Sequence, residues 1–221
     1  MKPVLLLLAS AAALFPQAAG EANAHYQTEK DRQAVARGLS QPGRDATQKP
    51  AELVARMGLK PGMAVADIGS GTGYMLPYLS RAVGASGQVI AEDIFPDFLD
   101  KAKARAGDEK LGNVSFIKGT EKDPLLPEGS VDVALALDSY HHYDYPLEML
   151  AGIRKGLRAD GRLVLVEYYK RPGAMSNTDA VKHIRLDKQD VIREIEAAGF
   201  SLLSDFEQIQ GSQYGLILRK R

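Results

Sequence analysis

Apolar positions change their spacing repeatedly along the chain. Short apolar runs of strand length alternate with segments whose apolar residues recur every three or four positions, which indicates helices. Strands are predicted at 63–68, 88–93, 113–117, 131–137 and 162–169, followed by a closing pair at 200–207 and 214–220. Helices are predicted at 74–83, from 96 onward, at 146–158 and from 187 to 199. This alternation predicts an α/β fold with a mostly parallel sheet.

The first 62 residues do not follow this alternation. Residues 25–62 are polar and helical in pattern, with one helix from Thr28 to Gly38 and another that begins at Pro50 and ends at Gly58. Pro50 suits a first helical position because its missing N–H would have no partner there. We therefore expect a helical segment at 25–62 before a domain at 63–221.

Residues Met1 to Ala24 resemble a secretory signal peptide. Lys2 precedes an apolar run from Val4 to Phe15, Pro16 interrupts it, and small residues follow, as in an export signal with its cleavage site. Cleavage after Gly20 and cleavage after Ala24 both fit, and an uncleaved membrane anchor is the alternative. The run is shorter than the roughly 20 apolar residues of a spanning helix. We expect an exported, periplasmic protein with no membrane span after cleavage.

A glycine-rich loop follows the first predicted strand. Residues 65–74 read VADIGSGTGY, and glycine lets the backbone approach a ligand closely or adopt a positive φ. Asp67 stands at the carboxyl end of the strand, where open α/β sheets bind ligands. The spacing G-x-G-x-G differs from the dinucleotide fingerprint G-x-G-x-x-G. A carboxylate there suits a cationic ligand, and the alternative is a tight turn that binds nothing.

An acidic residue followed by G-x-G-x-G resembles motif I of the class I S-adenosylmethionine-dependent methyltransferases. The order of predicted elements over 63–220 is similar to that family as well. The resemblance implies a Rossmann-like, seven-stranded, mostly parallel sheet with helices on both faces and an antiparallel last strand. It implies S-adenosylmethionine as the cofactor, with its methionine part held by Asp67, Gly69, Ser70, Gly71, Gly73 and Tyr74.

Three later segments extend the resemblance. Asp93 ends the second strand in AEDIFPDFL, and the family pattern implies that it binds the ribose hydroxyls, while Glu92 points to the other face of the strand. Thr120 and Glu121 follow the third strand at the positions that contact adenine. Asp138 opens the loop after the fourth strand, which resembles motif IV beside the reacting methyl group. The loops at 39–49, 138–145 and 170–187 should line the pocket, with Arg44, Asp45 and Lys49 as candidate lid residues.

The loop after the fourth strand reads DSYHHYD and carries the candidate catalytic residues. His141 or His142 could accept a proton near neutral pH if the methyl acceptor must lose one, and Tyr140 could shape the pocket. Surface or packing roles are the alternative for both histidines. The spacing of His141, His142 and His183 matches no recognised zinc pattern, and further oxygen ligands beside Asp138 are not evident, so no metal is expected.

Composition narrows the possible functions. Lysine plus arginine equals aspartate plus glutamate, 28 each, which argues against a nucleic-acid-binding protein. The chain has no cysteine and so forms no disulfide. We expect transfer of a methyl group to an unidentified acceptor, a small or lipid-like molecule, with a protein side chain as the alternative. The alternatives are a silent S-adenosylmethionine-binding module and, less favoured by the glycine spacing, an NAD-dependent oxidoreductase. The sequence does not indicate an oligomeric state.

Overall fold

One mixed sheet forms the centre of the protein. The computed structural model describes residues 18–221, so most of the predicted signal peptide lies outside the described residues. The strands lie in the order β3-β2-β1-β4-β5-β7-β6. Their bounds are β1 Ala64–Ile68, β2 Gln88–Asp93, β3 Val114–Lys118, β4 Val131–Leu137, β5 Leu157–Tyr168, β6 Phe200–Ile209 and β7 Gln213–Lys220.

The strand directions confirm the predicted fold class. β1 pairs in parallel with β2 and with β4, β2 with β3, and β4 with β5. β7 is antiparallel to both of its neighbours, β5 and β6. The largest difference from the predicted bounds is at β5, which begins at Leu157 because that residue pairs with Val131 before a shift in register.

Helices cover both faces of the sheet. Proline occupies the first turn of α4, α5, α6 and α7, and the Asp187 carboxylate caps α9 by accepting from the Gln189 and Asp190 N–H groups. The helix bounds are α1 Gly20–Asn23, α2 Glu29–Leu39, α3 Arg44–Gln48, α4 Pro50–Met57, α5 Leu76–Val83, α6 Pro96–Asp108, α7 Pro146–Gly156, α8 Ala180–His183 and α9 Lys188–Ala197. Short 3₁₀ helices lie at Ala24–Tyr26 and Tyr140–His142.

The core has two layers, one on each side of the sheet. Val65 and Val133 pack with residues of α4, α5 and α6. Their neighbours Ala66 and Ala134 face the other side and pack with residues of α7 and α9. Alternate strand positions thus enter opposite layers, and both are apolar because helices cover both faces.

This arrangement brings functional residues to one edge of the sheet. The carboxyl ends of the parallel strands β1, β2 and β4 meet there, and the segment before β1 reaches the same edge. Among residues 18–221, no helix is both long enough and apolar enough to cross a bilayer.

Candidate active site

A cavity of about 280 Å³ opens at the carboxyl edge of the sheet. Three regions line it: the glycine loop after β1, the ends of β2 and β4 with the residues that follow them, and the segment before β1. The lining from β1 and its loop is Asp67, Ile68, Gly69, Ser70, Gly71, Thr72, Tyr74 and Met75. The segment before β1 contributes Asn23, Tyr26, Gln27, Arg32, Leu39 and Arg44.

The glycine loop is held to the end of β2 by its own backbone. The Gly69 N–H donates to Glu92 Oε2 at 3.2 Å, and the Gly71 N–H donates to Asp93 Oδ2 at 2.9 Å. Gly69 has φ +70°, and a Cβ there would lie 2.7 Å from the Ser139 Cβ. Glycine is therefore needed at 69 both for the backbone conformation and for contact with the loop after β4.

Gly73 has a different role from the one expected. It does not line the cavity. Its φ is +78°, and a Cβ there would lie 2.8 Å from Leu76 Cδ1 and 3.1 Å from the Ala102 Cα. Its missing side chain thus lets the loop pack against α5 and α6. The loop ends with this turn, and α5 consequently begins at Leu76 and not at Tyr74 as predicted.

Carboxylates dominate the charge of the cavity. Burial is the largest cause that raises the pKa of Asp67 to about 7; the neighbouring Asp93 also raises it, and Arg44 partly offsets both. Burial raises the pKa of Asp93 to about 6, although hydrogen bonds from the N–H groups of Phe95 and Gly71 act to lower it. The pKa of Asp138 is raised to about 7, mainly by burial and secondly by the Glu167 carboxylate. Each ionised carboxylate lacks sufficient positive charge nearby, so the site favours a cationic ligand.

Three hydroxyls and one carboxylate oxygen of lining residues are buried without a hydrogen-bond partner. They are Ser70 Oγ, Thr72 Oγ1, the Tyr143 hydroxyl and Glu92 Oε1. Buried polar atoms normally have partners. Unpartnered atoms around a cavity are groups that a polar ligand could satisfy.

The segment before β1 supplies an aromatic wall. The Tyr26 and Phe95 rings stack with centroids 5.9 Å apart, and Phe98 packs edge-on against both. The Arg32 side chain lies over Phe95 and donates to both carboxylate oxygens of Asp97. A flat apolar ring system could pack against this wall.

Two of the predicted lid residues, Arg44 and Asp45, contact Tyr74. The Arg44 guanidinium lies 3.9 Å from the centroid of the Tyr74 ring, and the Tyr74 hydroxyl donates to Asp45 Oδ1 at 2.8 Å. Arg44 lines the cavity, whereas Lys49 does not. α3 is thereby joined to the glycine loop.

Asp138 has a positive φ, which is uncommon for residues other than glycine. Its φ is +53°, and its Oδ1 accepts a hydrogen bond from Gln213 Nε2 at 2.7 Å. The strained turn holds the carboxylate beside the cavity, and Gln213 on β7 fixes its orientation.

His142 presents a nitrogen lone pair at the cavity. The Asn23 amide nitrogen donates to His142 O and to Asp144 Oδ2, both at 3.1 Å, so its Oδ1 faces His142 Nδ1 at 2.9 Å. Nδ1 must therefore carry the proton. Burial and the neighbouring His141 and His183 hold the pKa of His142 well below its usual value, so the ring is neutral and Nε2 is unprotonated. The Tyr26 hydroxyl lies 3.5 Å from this Nε2.

His141 lies behind His142 and is buried. Its Nδ1 is 2.7 Å from Glu167 Oε2, which also accepts from the His141 N–H at 3.0 Å. Burial alone would lower the pKa of His141, but the Glu167 carboxylate outweighs it and the pKa is raised. Tyr140 is farther from the cavity, since its ring is in the core and its hydroxyl bonds to Glu194.

The structure brings most of the predicted site residues to the cavity, but not all of them. His142 is the one predicted catalytic residue in its lining. Thr120 is exposed, and its hydroxyl accepts from the Lys122 and Asp123 N–H groups in a turn. The predicted cofactor-binding residues that line the cavity are Asp67, Gly69, Ser70, Gly71, Tyr74, Asp93, Glu121 and Asp138. Two other predicted cofactor-binding residues, Gly73 and Thr120, do not line it, and neither do the predicted catalytic residues Tyr140 and His141.

Two expectations about segments need correction. No residue of the predicted pocket loop 170–187 lines the cavity; instead, α8 brings His183 against His141 and His142. Glu92 was expected to face away from Asp93, yet both line the cavity because the cavity extends around the end of β2.

Sequence reasoning missed Asn23 and the aromatic wall. Asn23 and Tyr26 are separated from His142 by more than 110 positions, and nothing in their local pattern marks the contact. The only local signal of the aromatic wall was the pair Phe95 and Phe98, which lies within the segment AEDIFPDFL.

Comparisons with known proteins agree with this geometry. Residues 66–165 match the family model described as a methyltransferase domain. The demethylmenaquinone methyltransferase of Lactococcus lactis is 32% identical over 117 residues, which are 53% of this chain and 46% of that protein. A SAM-dependent methyltransferase from Aquifex aeolicus has a structure with TM-score 0.78 and 25% identity, covering 85% of this chain and 98% of that one.

Residues 66–165 are thus similar to a methyltransferase domain, and the fold is that of the class I methyltransferases. The chain spans about half the length of the curated relatives that it matches. The [4+2]-cyclase SpnF also shares the fold, with TM-score 0.69 and 18% identity over 82% of this chain and 84% of that one. Fold alone therefore does not fix the reaction.

The cavity fits the family's cofactor, S-adenosylmethionine. That molecule carries a sulfonium, an ammonium, a carboxylate, a ribose diol and an adenine ring. The cavity offers surplus carboxylates for the cations, Arg44 for an anion, and unpartnered polar atoms in the glycine loop. The aromatic wall suits a flat ring.

Proposed function

We propose that this protein transfers a methyl group from S-adenosylmethionine to a small-molecule acceptor. The observation that carries the proposal is the cavity between the glycine loop and the ends of β2 and β4, in whose lining carboxylates outnumber arginines. The sulfonium and the ammonium of S-adenosylmethionine would each place a positive charge near those carboxylates. The similarity of residues 66–165 to a methyltransferase domain supports the same reading.

Each part of the cavity has a separate binding role in this proposal. Asp93 accepts from the ribose hydroxyls, because it follows the glycine loop at the end of β2 and already accepts from Gly71. Asp67 and Asp138 face the cationic part. Tyr26 and Phe95 pack against the adenine ring, and Glu121 lies at the same part of the lining.

The cofactor supplies a methyl group already activated on a sulfonium, so the protein needs no covalent nucleophile. The chain's task is to hold two molecules at attack distance and to exclude water, which can supply up to about 7–11 kcal/mol of the barrier. His142 lies at the rim with Nε2 unprotonated, in position to contact the acceptor. His141 and Tyr140 support it from behind and do not contact the substrate.

A small organic acceptor is favoured over a protein. The cavity has a volume of about 280 Å³, and its lining includes the segment before β1 together with His142 and Tyr143. This space suits a compact group better than an extended chain. Relatives that match are titled as methyltransferases of demethylmenaquinone and nocamycin, which are small molecules.

Calorimetric titration with S-adenosylhomocysteine tests the cofactor site. In Asp93→Asn the affinity should fall by about tenfold or more, because a charge-assisted hydrogen bond contributes roughly 1.5–3 kcal/mol. Thr120→Ala is the matched control and should bind like the wild type. Affinity unchanged in Asp93→Asn would contradict the ribose assignment, and tighter binding of NAD than of S-adenosylhomocysteine would favour an oxidoreductase.

Turnover separates an enzyme from a silent binding module. The protein should move radiolabelled methyl from S-adenosylmethionine into a low-molecular-weight fraction of cell extract. Binding of S-adenosylhomocysteine without transfer to any fraction would favour the silent module.

We also propose export to the periplasm, with signal cleavage after Gly20 and not after Ala24. Cleavage after Gly20 keeps Asn23, whose side chain bonds to His142 and Asp144, whereas cleavage after Ala24 removes it. The intact mass of the secreted protein distinguishes the two cleavage sites. A mature chain beginning at His25 would contradict the choice of site, and protein that stays in the cytosol at full length would contradict export.

A further inference from the structure

Three of the chain's four histidines meet at one place beside the cavity. His141 and His142 lie on the 3₁₀ helix after β4, and His183 ends α8. One ring nitrogen from each lies within 4.8 Å of the other two. The ring centroids of His141 and His183 are 5.0 Å apart, and those of His142 and His183 are 5.6 Å apart.

From this geometry we propose that His141, His142 and His183 bind a divalent transition-metal ion of the zinc class. Three imidazole nitrogens are typical ligands for zinc, cobalt, nickel or copper, whereas magnesium and calcium prefer oxygen. A zinc–nitrogen bond is about 2.1 Å long, which places tetrahedral ligands roughly 3.4 Å apart. Because the three nitrogens lie within 4.8 Å of one another, they need to approach by at most about 1.4 Å to reach that arrangement.

Hydrogen bonds on the far side of two rings already orient them as ligands. Glu167 Oε2 accepts from His141 Nδ1 at 2.7 Å, and Asn23 Oδ1 accepts from His142 Nδ1 at 2.9 Å. Nδ1 of both rings is therefore engaged, and Nε2 is the nitrogen that each ring can offer to an ion. His142 Nε2 would exchange its 3.5 Å contact with the Tyr26 hydroxyl for the ion. A carboxylate or amide oxygen on the other nitrogen is the usual support of a metal-bound histidine, and its loss typically weakens binding 10- to 100-fold.

Charge around the cluster is compatible with a cation. Glu167 is 1% exposed and bonds directly to His141. Asp138 is close enough to raise the pKa of His141, and Arg185, which acts to lower it, is held by Glu194. A bound ion would thus be neutralised partly by the Glu167 carboxylate.

Three protein ligands leave at least one coordination position open. His142 and Ser139 line the cavity, so the open position faces the place where the methyl acceptor would lie. This placement rests on the proposed function, but the metal site itself does not. An ion held there would take an acceptor oxygen or thiol as its fourth ligand and lower the pKa of that group.

The sequence pattern did not predict this site. His141 and His142 are adjacent, and His183 follows β5 and a long loop, so no short zinc spacing exists. The cluster forms because α8 packs over the loop after β4, a contact that depends on the tertiary fold.

Titration of the untagged, full-length protein with Zn²⁺ tests the proposal, with visible absorption of the Co²⁺ form as a second readout. One equivalent of Zn²⁺ should bind, and Co²⁺ should give the ligand-field bands of a low-coordinate nitrogen site. His183→Gln should weaken Zn²⁺ binding by about 100-fold, and Glu167→Gln by roughly tenfold or more while all three ligands stay in place. Circular dichroism confirms that each variant is folded.

His25→Gln is the matched control, because His25 is exposed and is the only histidine of the chain outside the group. It should bind Zn²⁺ like the wild type. Equal losses in His25→Gln and His183→Gln would overturn the assignment, as would Zn²⁺ binding by wild type no tighter than by His183→Gln. None of these measurements requires S-adenosylmethionine, so the metal proposal and the proposed function can fail separately.

Discussion

Single carboxylates set the preference of the cavity for a cation. Asp67 faces the cavity from the end of β1 and is 3% exposed, and burial raises its pKa to about 7. The folded protein therefore holds a proton on Asp67 at pH values where the unfolded chain has released it. Its ionisation costs folding stability, which a cationic ligand restores.

Asp67→Asn should stabilise the ligand-free protein and weaken S-adenosylmethionine binding at the same time. The pKa of Asp67 is raised from 3.8 to about 7, so stability falls as the pH rises through this window and the full cost is present above pH 7. The neutral amide avoids that cost. The melting temperature should rise more at pH 8 than at pH 5.5, by at least about 2–4 °C.

Asp100→Asn serves as the control for this pH comparison, because the Asp100 side chain is 72% exposed on α6. Its melting temperature should follow the wild type at both pH values. An Asp67→Asn variant that is less stable than the wild type at pH 8, or that binds the cofactor equally well, would contradict the role given to Asp67.

The residues that the sequence could reveal are those whose role depends on local pattern. Asp67 and Asp93 end predicted strands, and the position of a strand end at the sheet edge follows from the fold class. Asn23, Tyr26 and His183 belong to the site only through contacts across the tertiary structure, and no local spacing encodes such contacts. Thr120 was misplaced because its hydroxyl closes a turn instead of facing the cavity.

At the scale of elements, the glycine loop connects three structural units. Gly69 contacts the loop after β4, Gly71 donates to the end of β2, and Gly73 packs on α5 and α6. The loop is therefore shaped by packing within the protein as much as by space for a ligand.

Alanine substitutions at two glycines test how strongly packing constrains the glycine loop. Gly73→Ala should lower the free energy of unfolding by about 2 kcal/mol or more, because it combines a positive φ with a Cβ clash in the core. Gly107→Ala, in α6 with open space around its Cα, should raise it by roughly 0.5 kcal/mol. Urea unfolding measures both. Equal stability of the Gly73→Ala variant and the wild type would show that the turn is not constrained.

Strands and helices of the domain could be predicted because their apolar periods are long and regular. β2 and β4 have the predicted bounds, and both are buried strands limited by turn residues. The segment 170–187 could not be placed, since it has no periodic pattern and its position depends on contacts of α8 with the 3₁₀ helix.

At the scale of the whole molecule, the sheet topology gathers the site. The order β3-β2-β1-β4 places four carboxyl ends side by side, and the segment before β1 forms a further wall of the cavity. The same architecture occurs in proteins with other reactions, as SpnF shows. Function therefore depends on the residues at this edge rather than on the fold.

The most direct test of the central claim is a crystal structure of the protein with S-adenosylhomocysteine. The ligand should lie between the glycine loop and the end of β2, with its ribose hydroxyls on Asp93 and its adenine beside Tyr26 and Phe95. A structure in which the ligand binds elsewhere, or in which Asp93 and the glycine loop make no contact with it, would contradict the claim.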